Sequence, residues 1–264
     1  MKLQLQSAGL WRRVIAALLF GAFGLAVFAA LTRQGARVTD VIIEIEPTAE
    51  GQILIQSKDV IARLSAGPHG SLVGLPIAEL RLELLERFVE QDPFVRDANV
   101  YTTYAGQLQV EIEQAEPILR VHRRRSADYY IGATGAVLPL SKNDVVRVPV
   151  LTGDVPSFET AIADTVASEA YELAAALRAS DLYGGLIEQI ELDETGYTLV
   201  PKVGSTVYRL GQLSDLQRKL TDLEDFLRSV TPEVGWEHYR EVDLRYDGQV
   251  VARRARGRSA VIRP

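Results

Sequence analysis

The three histidines of this sequence are the first residues to test for catalytic or metal-binding chemistry. His69, His122 and His238 stand in three separate contexts, and no two of them have the spacing of a metal-ligand pair. The sequence contains no cysteine, which removes disulfides, thiolate catalysis and cysteine-metal sites together. We expect one histidine in a loop and two at partly exposed strand ends.

Other residue patterns give no catalytic signal either. The sequence has neither a Gly-x-Ser-x-Gly elbow nor a Gly-x-x-x-x-Gly-Lys loop. Gly132–Gly135 lies between two short predicted strands with no helix after it, which favours a hairpin turn over a phosphate loop. Glu111 and Glu113 share the polar face of one predicted strand, which is typical of a solvated surface. We therefore predict that the protein is not an enzyme and holds no cofactor and no metal.

Two basic stretches could meet an anionic surface. Arg123–Arg125 is predicted to be a solvated loop, with anionic lipid or an acidic partner as the functional alternative. The tail at 253–264 is rich in arginine, glycine and serine, so we predict disorder that an acidic partner could order. The net charge of −6 gives no nucleic-acid signal for the whole molecule.

The N-terminus predicts a membrane location. The uncharged run Val14–Thr32 would span roughly 28 Å as a helix, close to the hydrocarbon thickness of a bilayer. Basic residues flank it, and the first helix usually sets orientation, so we expect residues 1–13 in the cytoplasm and the bulk outside. A cleaved signal peptide ending near Ala29 is the alternative, although the apolar run continues past that point.

The residues after this run predict a small α+β domain. Val38–Pro47 alternates as a strand, and Ser57–Leu64 has an N-cap residue followed by helical spacing. Pro76 opens a stronger helix over 77–91. The runs Val95–Tyr104 and Gln107–Glu113 then form a hairpin with one covered face. A three-stranded sheet covered by two helices would bury all these apolar stripes.

The second half reads as a strand-rich α+β domain. Helices are predicted at Phe158–Ser180 and Leu213–Val230, where apolar residues recur at helical spacing. The strands predicted around them are Ile118–Val121, Tyr129–Ile131, Ala136–Leu140, Leu186–Leu192, Tyr197–Val200 and Val207–Leu210.

The last patterned stretch, Glu241–Arg254, has the period-two alternation of a strand. Asp247-Gly248 could form a two-residue hairpin turn, and by local sequence this signal is the stronger. Alternatively Gly248 could be a bulge within one long edge strand, because the apolar residues on its two sides keep one parity. An exposed edge strand is a template for another chain.

Several motifs in order resemble the FtsQ/DivIB family of cell-division proteins. They are Asp97–Val100 followed by Leu108–Ile112, Glu116-Pro117-Ile118, Tyr130-Ile131 with Gly135, Val148–Gly153, Leu210-Gly211 and Val242–Tyr246. The resemblance covers nearly the whole chain. It implies a cytoplasmic stub (1–13), a transmembrane helix (14–32), a linker (33–37), a POTRA domain (38–117), a C-terminal β domain (118–252) ending in an edge strand, and the basic tail (253–264).

The resemblance also implies a function without catalysis. Family members are single-pass inner-membrane proteins, enriched at the division septum, that help to localise and regulate septal peptidoglycan synthesis. It implies binding to small coiled-coil division proteins of the FtsB/FtsL type through the C-terminal strand, and to other divisome proteins through the POTRA domain, with neither nucleic acid nor a small-molecule substrate. The residues expected to bind the partner are Val242, Leu244, Arg245, Tyr246, Asp247, Gly248, Val250, Val251 and Ala252. Tyr246 is the expected hot spot, since tyrosine offers a large rigid contact with a polar tip.

Two other functions stay open at this point. POTRA modules also occur in chaperone and transport proteins, where arrays of them precede a membrane barrel; here one predicted module is followed by a mixed domain with no barrel pattern. A membrane-anchored periplasmic enzyme is the third candidate, disfavoured because no catalytic constellation is visible in the sequence.

Overall fold

The computed structural model describes residues 15, 17–25, 36–67, 70–124, 126–161, 165–255 and 259–262, the last four as backbone only. The chain divides into two compact units. The first contains the chain through Glu46 together with Gln56–Glu113. The second contains Pro47–Ile55 together with Gln114–Pro264, so a segment that we expected in the POTRA domain belongs to the second unit.

The first unit has the β-α-α-β-β order predicted from the sequence. Its elements are β1 (Asp40–Glu46), α1 (Ser57–Ala66), a 3-10 turn (Ile77–Glu79), α2 (Leu82–Val89), β2 (Val95–Thr102) and β3 (Gln107–Gln114). The sheet order is β1-β3-β2, with β1 parallel to β3.

Alternation along β3 explains how this unit forms a core. Leu108, Val110 and Ile112 are buried on one face of the strand, because successive side chains point to opposite faces. The two helices cover that face with residues three or four apart, such as Leu85 and Val89 of α2.

The helix predicted after Pro76 is shorter than expected. Pro76 bridges Arg37, and the amide of Ile77 donates to the carbonyl oxygen of Ala36 at 3.0 Å. These long-range bonds allow only a 3-10 turn, and Leu80 is extended before α2 begins at Leu82. The predicted N-cap is also shifted, because Ser57 lies inside α1 and Gln56 precedes it.

The predicted membrane-spanning run Val14–Thr32 falls largely outside the described residues. Its described residues, 15 and 17–25, are helical. Within the described parts of the chain, none of the helices has the length and hydrophobicity that a membrane crossing requires.

The second unit is built on one long mixed sheet. Its strands are β4 (Pro117–Val121), β5 (Tyr129–Gly132), β6 (Val137–Pro139), β7 (Val150–Gly153), β8 (Ile187–Asp193), β9 (Gly196–Pro201), β10 (Val207–Gly211), β11 (Tyr239–Asp243), β12 (Val250–Arg254) and β13 (Ser259–Ile262). The sheet has ten strands in the order β13-β12-β11-β10-β9-β8-β7-β4-β5-β6. The pairs β4–β7, β7–β8 and β10–β11 are parallel.

Two amphipathic helices pack on this sheet and form its main core. The helices of the unit are α3 (Phe158–Ala161), α4 (Thr165–Arg178), α5 (Asp181–Leu186), α6 (Leu216–Ser229) and α7 (Thr231–Val234). The predicted helices at Phe158–Ser180 and Leu213–Val230 correspond to α3 with α4 and to α6, while α5 was not predicted. Leu173 and Leu223, at the centres of α4 and α6, are completely buried in one hydrophobic cluster with the sheet.

The C-terminal end of the sheet differs from the expectation in two ways. Glu241–Arg254 is not one continuous edge strand, because the chain folds back into the antiparallel pair β11–β12. The predicted disordered tail is wrong for Arg253 and Arg254, which lie in β12, and for Ser259–Ile262, which pairs antiparallel with β12 as β13.

Candidate partner-binding site

The nine residues predicted to bind a partner lie on or between β11 and β12. Asp243 pairs with Val251 and Val242 with Ala252, and Gly248 in the connecting turn has a φ of 64°. That left-handed conformation suits glycine in a tight turn. The two halves of the stretch therefore form a hairpin, and the continuous bulged strand that the resemblance favoured is wrong. The hairpin is not the predicted two-residue one, because pairing ends at Asp243 opposite Val251 and residues 244–249 connect the strands.

Four of the nine residues cannot present their side chains to a partner. Val242, Leu244, Val250 and Ala252 are no more than 3% exposed and belong to the hydrophobic core. They share one face of the hairpin because Val242 lies opposite Ala252, and that face packs in the core with the helices of this unit. Their expected role as contact residues is corrected to a role in packing.

Arg245 is held in place by a buried carboxylate. Its Nε and Nη2 atoms donate to the two oxygens of Asp243 at 2.9 and 2.7 Å, a bidentate pair. Asp243 is 0% exposed, and its burial is the largest influence, raising the pKa of the carboxyl. The hydrogen bonds and charge of Arg245 together outweigh burial, so the pKa of Asp243 lies below its ordinary value.

The stem of Arg245 lies over a glycine that the sequence motifs single out. A Cβ atom on Gly211 would come within 2.7 Å of the Cγ atom of Arg245. Gly196 also lies close to Gly211, since a Cβ atom on Gly196 would be 2.3 Å from the carbonyl carbon of Gly211. The Leu210-Gly211 motif and the Asp243-x-Arg245 motif are thus two parts of one packed contact.

Helix α6 fixes the hairpin turn from the other side. Arg218 donates to the carboxylate of Asp247 in the turn at 2.7 Å. The next residue, Lys219, is buried and donates through Nζ to the carbonyl oxygens of Leu210 and Gln212 at 2.9 and 2.6 Å. Desolvation is the main reason that the pKa of Lys219 is lowered. Adjacent residues of α6 therefore connect both the end of β10 and the turn after β11.

Tyr246 stands between these two anchored residues. Its neighbour Arg245 is tied to Asp243, and its other neighbour Asp247 is tied to Arg218. Tyr246 itself is 50% exposed. The arrangement presents an exposed aromatic side chain on a turn whose two flanking residues both take part in ion pairs.

The outer edge of β12 is covered by β13. The register runs from Val250 opposite Ile262 to Arg253 opposite Ser259. On the β11 side, Glu241 forms ion pairs with Arg253 at 2.9 Å and with Arg209 at 3.1 Å. A charged row therefore connects β10, β11 and β12 on the polar face of the sheet.

The residues first examined for catalysis lie in ordinary structural settings. The Nδ1 atom of His122 is 3.0 Å from Asp128, which also accepts from Arg120 at 2.6 Å, and His238 stacks edge-on against Tyr239. Within the described ranges, no group of three or more histidine or acidic residues is placed to hold a metal ion. His69 and Arg125 lie outside those ranges.

The other candidates are also accounted for by structure. Gly132–Gly135 is the hairpin turn between β5 and β6, with the amide of Gly132 donating to the carbonyl oxygen of Ala136 at 2.8 Å. Glu111 accepts from Tyr101 at 2.6 Å and Asn99 at 3.1 Å, and Glu113 forms an ion pair with Arg96.

Comparison with known proteins agrees with the motifs in the sequence. A family model described as FtsQ/DivIB, C-terminal related, matches residues 116–253, and a POTRA-like domain model matches residues 37–113. The cell division protein FtsQ of Syntrophotalea carbinolica is 25% identical over 244 residues, which cover 89% of this chain and 84% of that protein. The FtsQ of Salinibacter ruber is 30% identical over 178 residues, covering 62% of this chain and 66% of that protein. The family match covers the hairpin as far as Arg253 and more than half of the chain, and this chain belongs to the FtsQ/DivIB family of cell-division proteins.

Proposed function

We propose that this protein is a non-catalytic division scaffold that binds small coiled-coil partners of the FtsB/FtsL type at its β11–β12 hairpin. In this role it localises and regulates septal peptidoglycan synthesis. One observation carries the proposal: half-exposed Tyr246 sits on a turn whose neighbours are fixed by ion pairs, at the end of a long sheet. Arg245, Asp247, Gly248 and half-buried Val251 complete the accessible part of the predicted site.

The proposed mode of binding is addition of a partner strand to the sheet. Backbone hydrogen bonds to an added strand give affinity, and alternate side chains give specificity. Tyr246 lies in the turn between β11 and β12, where it can contact residues that flank the partner's strand. The hairpin itself is held in the hydrophobic core by four buried side chains, those of Val242, Leu244, Val250 and Ala252.

The proposal includes a membrane anchor. The uncharged run Val14–Thr32 is long enough to cross a bilayer and places the two units outside the cytoplasm. This part rests on the sequence and on the kinship with FtsQ. Protease accessibility of the units in spheroplasts tests it, since digestion is expected from the outside only, and protection from outside protease would contradict it.

Replacement of Tyr246 tests the docking site. We expect Tyr246→Ala to weaken capture of the FtsB-type partner by about 30-fold, the effect of losing an aromatic hot spot worth about 2 kcal/mol. Tyr104→Ala is the matched control, because Tyr104 is 100% exposed and lies in the other unit. Equal capture by both variants and the unmodified chain would refute the site.

Depletion of the protein tests the cellular role. Cells that lose a division scaffold should form unseparated filaments while growth in mass continues. Restoration by the unmodified chain but not by Tyr246→Ala would connect the division defect with the hairpin. Loss of outer-membrane proteins or a metabolic defect without filaments would refute the proposed role.

A further inference from the structure

The edge that a partner strand needs is already occupied by the chain itself. β13 pairs antiparallel with β12 over four residues and is the last strand of the sheet on that side. A strand that adds to β12 must therefore replace β13, or else add outside it. This choice bears directly on how the proposed docking works.

β12 does not need β13 to hold its position. Val250 and Ala252 are buried in the core, and β12 is hydrogen-bonded to β11 on its inner side. Arg253 is tied to Glu241 at 2.9 Å, and the amide of Ala255 donates to the carbonyl oxygen of His238 at 3.1 Å. All of these contacts lie on the core side or the β11 side of β12, so they remain when the outer strand leaves.

The outer strand is held by much less. β13 has four residues, and among the described strands it neighbours β12 alone. Strand pairs are stabilised through many cross-strand contacts, so a four-residue strand with one neighbour contributes little free energy of its own. β12 contains no proline from Val250 to Arg254, so each of its residues retains the amide that pairing to a replacement strand requires.

We propose that Ser259–Ile262 is a removable cap on β12, which a partner strand displaces when it docks. The inference rests on the proposed function, since it concerns the same edge. The cap protects an exposed edge from unspecific pairing, as native proteins commonly do with short strands. The cap also weakens partner binding, because the apparent affinity is the affinity of the open edge multiplied by the fraction of molecules in which the edge is open.

Removal of the cap tests whether β13 lowers the apparent affinity for the partner. The full chain and a chain ending at Ala255 are compared for binding the extracytoplasmic segment of the organism's FtsB-type protein. We expect the shortened chain to bind about tenfold more tightly, corresponding to a cap that is closed about ten times as often as open. Unchanged or weaker binding by the shortened chain would overturn the proposal.

A synthetic peptide of residues 256–264 tests the cap without any partner. It should bind the chain ending at Ala255 and bind the full chain at least about tenfold more weakly, since there the edge is closed. A peptide of the same composition in scrambled order is the control. If neither chain binds the native peptide, or if both chains bind it equally well, β13 does not act as a removable cap.

A reversible lock tests displacement directly. Val251 and Val261 are directly opposite each other in the register, and facing residues of an antiparallel pair lie within the Cα separation of a disulfide. The chain has no native cysteine, so the double variant Val251→Cys/Val261→Cys can form only this intramolecular bond. We expect partner binding to fall at least about tenfold on oxidation and to return on reduction, because closing the cap removes the open fraction.

The single variants Val251→Cys and Val261→Cys separate the effect of the lock from that of the substitutions. If the oxidised double variant binds as tightly as the reduced one, the partner does not displace β13 and the inference is wrong, although the proposed function stands. A different result is that the peptide binds the shortened chain but the partner binds neither the full chain, the shortened chain nor the double variant. In that case the proposed docking is wrong, and the cap cannot regulate partner binding. The two failures are thus distinguishable.

Discussion

Both edges of the ten-stranded sheet carry a strand of only three or four residues, β6 at one side and β13 at the other, but the two edges are built differently. At the β6 edge the amide of Gly132 donates to Ala136, so this is a hydrogen-bonded pair. Hydrogen-bonded and non-hydrogen-bonded pairs alternate, which makes Tyr129 opposite Pro139 a non-hydrogen-bonded pair. Pro139 therefore lacks its amide on the outer side, where another strand would need it, while Leu138 is buried beside it.

The β12 side lacks this protection. Each amide of β12 faces either β11 or β13, and its residues from Val250 to Arg254 include no proline. The outer side of β12 is covered by hydrogen bonding to β13 and not by a residue such as proline that cannot donate an amide. At the β6 edge a proline removes one of the amides that an added strand would need, whereas at the β12 side the hydrogen bonds to β13 alone occupy the edge.

Matched proline substitutions should show the largest difference between the two edges. The amide of Leu244 donates to Arg209 of β10, so by alternation Asp243 faces β12 and its partner Val251 directs its amide to β11. Val251→Pro removes this bond to β11, and we expect a loss of about 3 kcal/mol. Val137→Pro should cost less than about 1 kcal/mol, since Val137 faces Ile131 in a non-hydrogen-bonded pair. Urea unfolding measures both values. Equal losses would show that the edges are not distinguished in this way.

The second largest difference is expected between two arginine–aspartate ion pairs, one towards each edge of the sheet. Asp243 is completely buried and Asp128 is 12% exposed, and each accepts from an arginine, Arg245 and Arg120 respectively. We expect Asp243→Ala to lower the free energy of unfolding by about 3 kcal/mol and Asp128→Ala by about 1 kcal/mol, because burial increases the penalty of an unpaired group. A larger effect at Asp128 would contradict this ranking.

Acid should also weaken the same two ion pairs, with a smaller loss in the free energy of unfolding than the alanine substitutions cause. Burial is the largest influence on the pKa of Asp128 and raises it, but hydrogen bonds from Arg120, Arg123 and His122 outweigh it, and the net pKa is lowered as in Asp243. A lowered pKa in the folded state stabilises the protein above the ordinary value of about 3.9, and this contribution is lost as the pH falls further. We therefore expect the unfolding midpoint to fall below about pH 4.

Neutral variants identify the carboxylates responsible. Asp243→Asn and Asp128→Asn should each reduce the dependence of the unfolding midpoint on pH in that range, since neither amide can titrate. Measurements at pH 7 give the baseline for each variant. A pH dependence identical to that of the unmodified chain in both variants would assign acid sensitivity to other groups.

Arg218→Ala should have the smallest effect on stability. Its ion pair with Asp247 is exposed, with the Asp247 side chain 90% accessible, so we expect a change within about 0.5 kcal/mol. Its effect should instead appear as faster amide exchange in the turn around Tyr246. A large loss of stability would mean that the turn supports the core as well as the surface.

Much of the fold follows from local patterns. The alternation of Leu108, Val110 and Ile112 predicted β3, and the leucine stripe predicted α6, because these periods depend on neighbouring residues only. The turn at Asp247-Gly248 was also correctly indicated by its local chemistry. The expectation of one continuous strand came from the family resemblance, and the structure contradicts it.

Long-range contacts account for what the sequence did not predict. The bond between Ile77 and Ala36 shortens the helix after Pro76, and no local pattern reveals it. For the site, parity placed Val242, Leu244 and Ala252 on one face but did not tell whether that face contacts a partner or the protein's own core. The ion pair from Arg218 joins residues far apart in sequence, so the anchoring of the turn was invisible as well.

Hydrogen exchange of the full chain with and without its FtsB-type partner would detect strand exchange at β12. We expect the amides of Ser259–Ile262 to exchange faster when the partner is bound, those of Val250–Arg254 to stay protected, and those of Val137–Pro139 to be unchanged. Increased protection of Ser259–Ile262, or changes confined to the β6 edge or to the first unit, would contradict docking by strand exchange at β12.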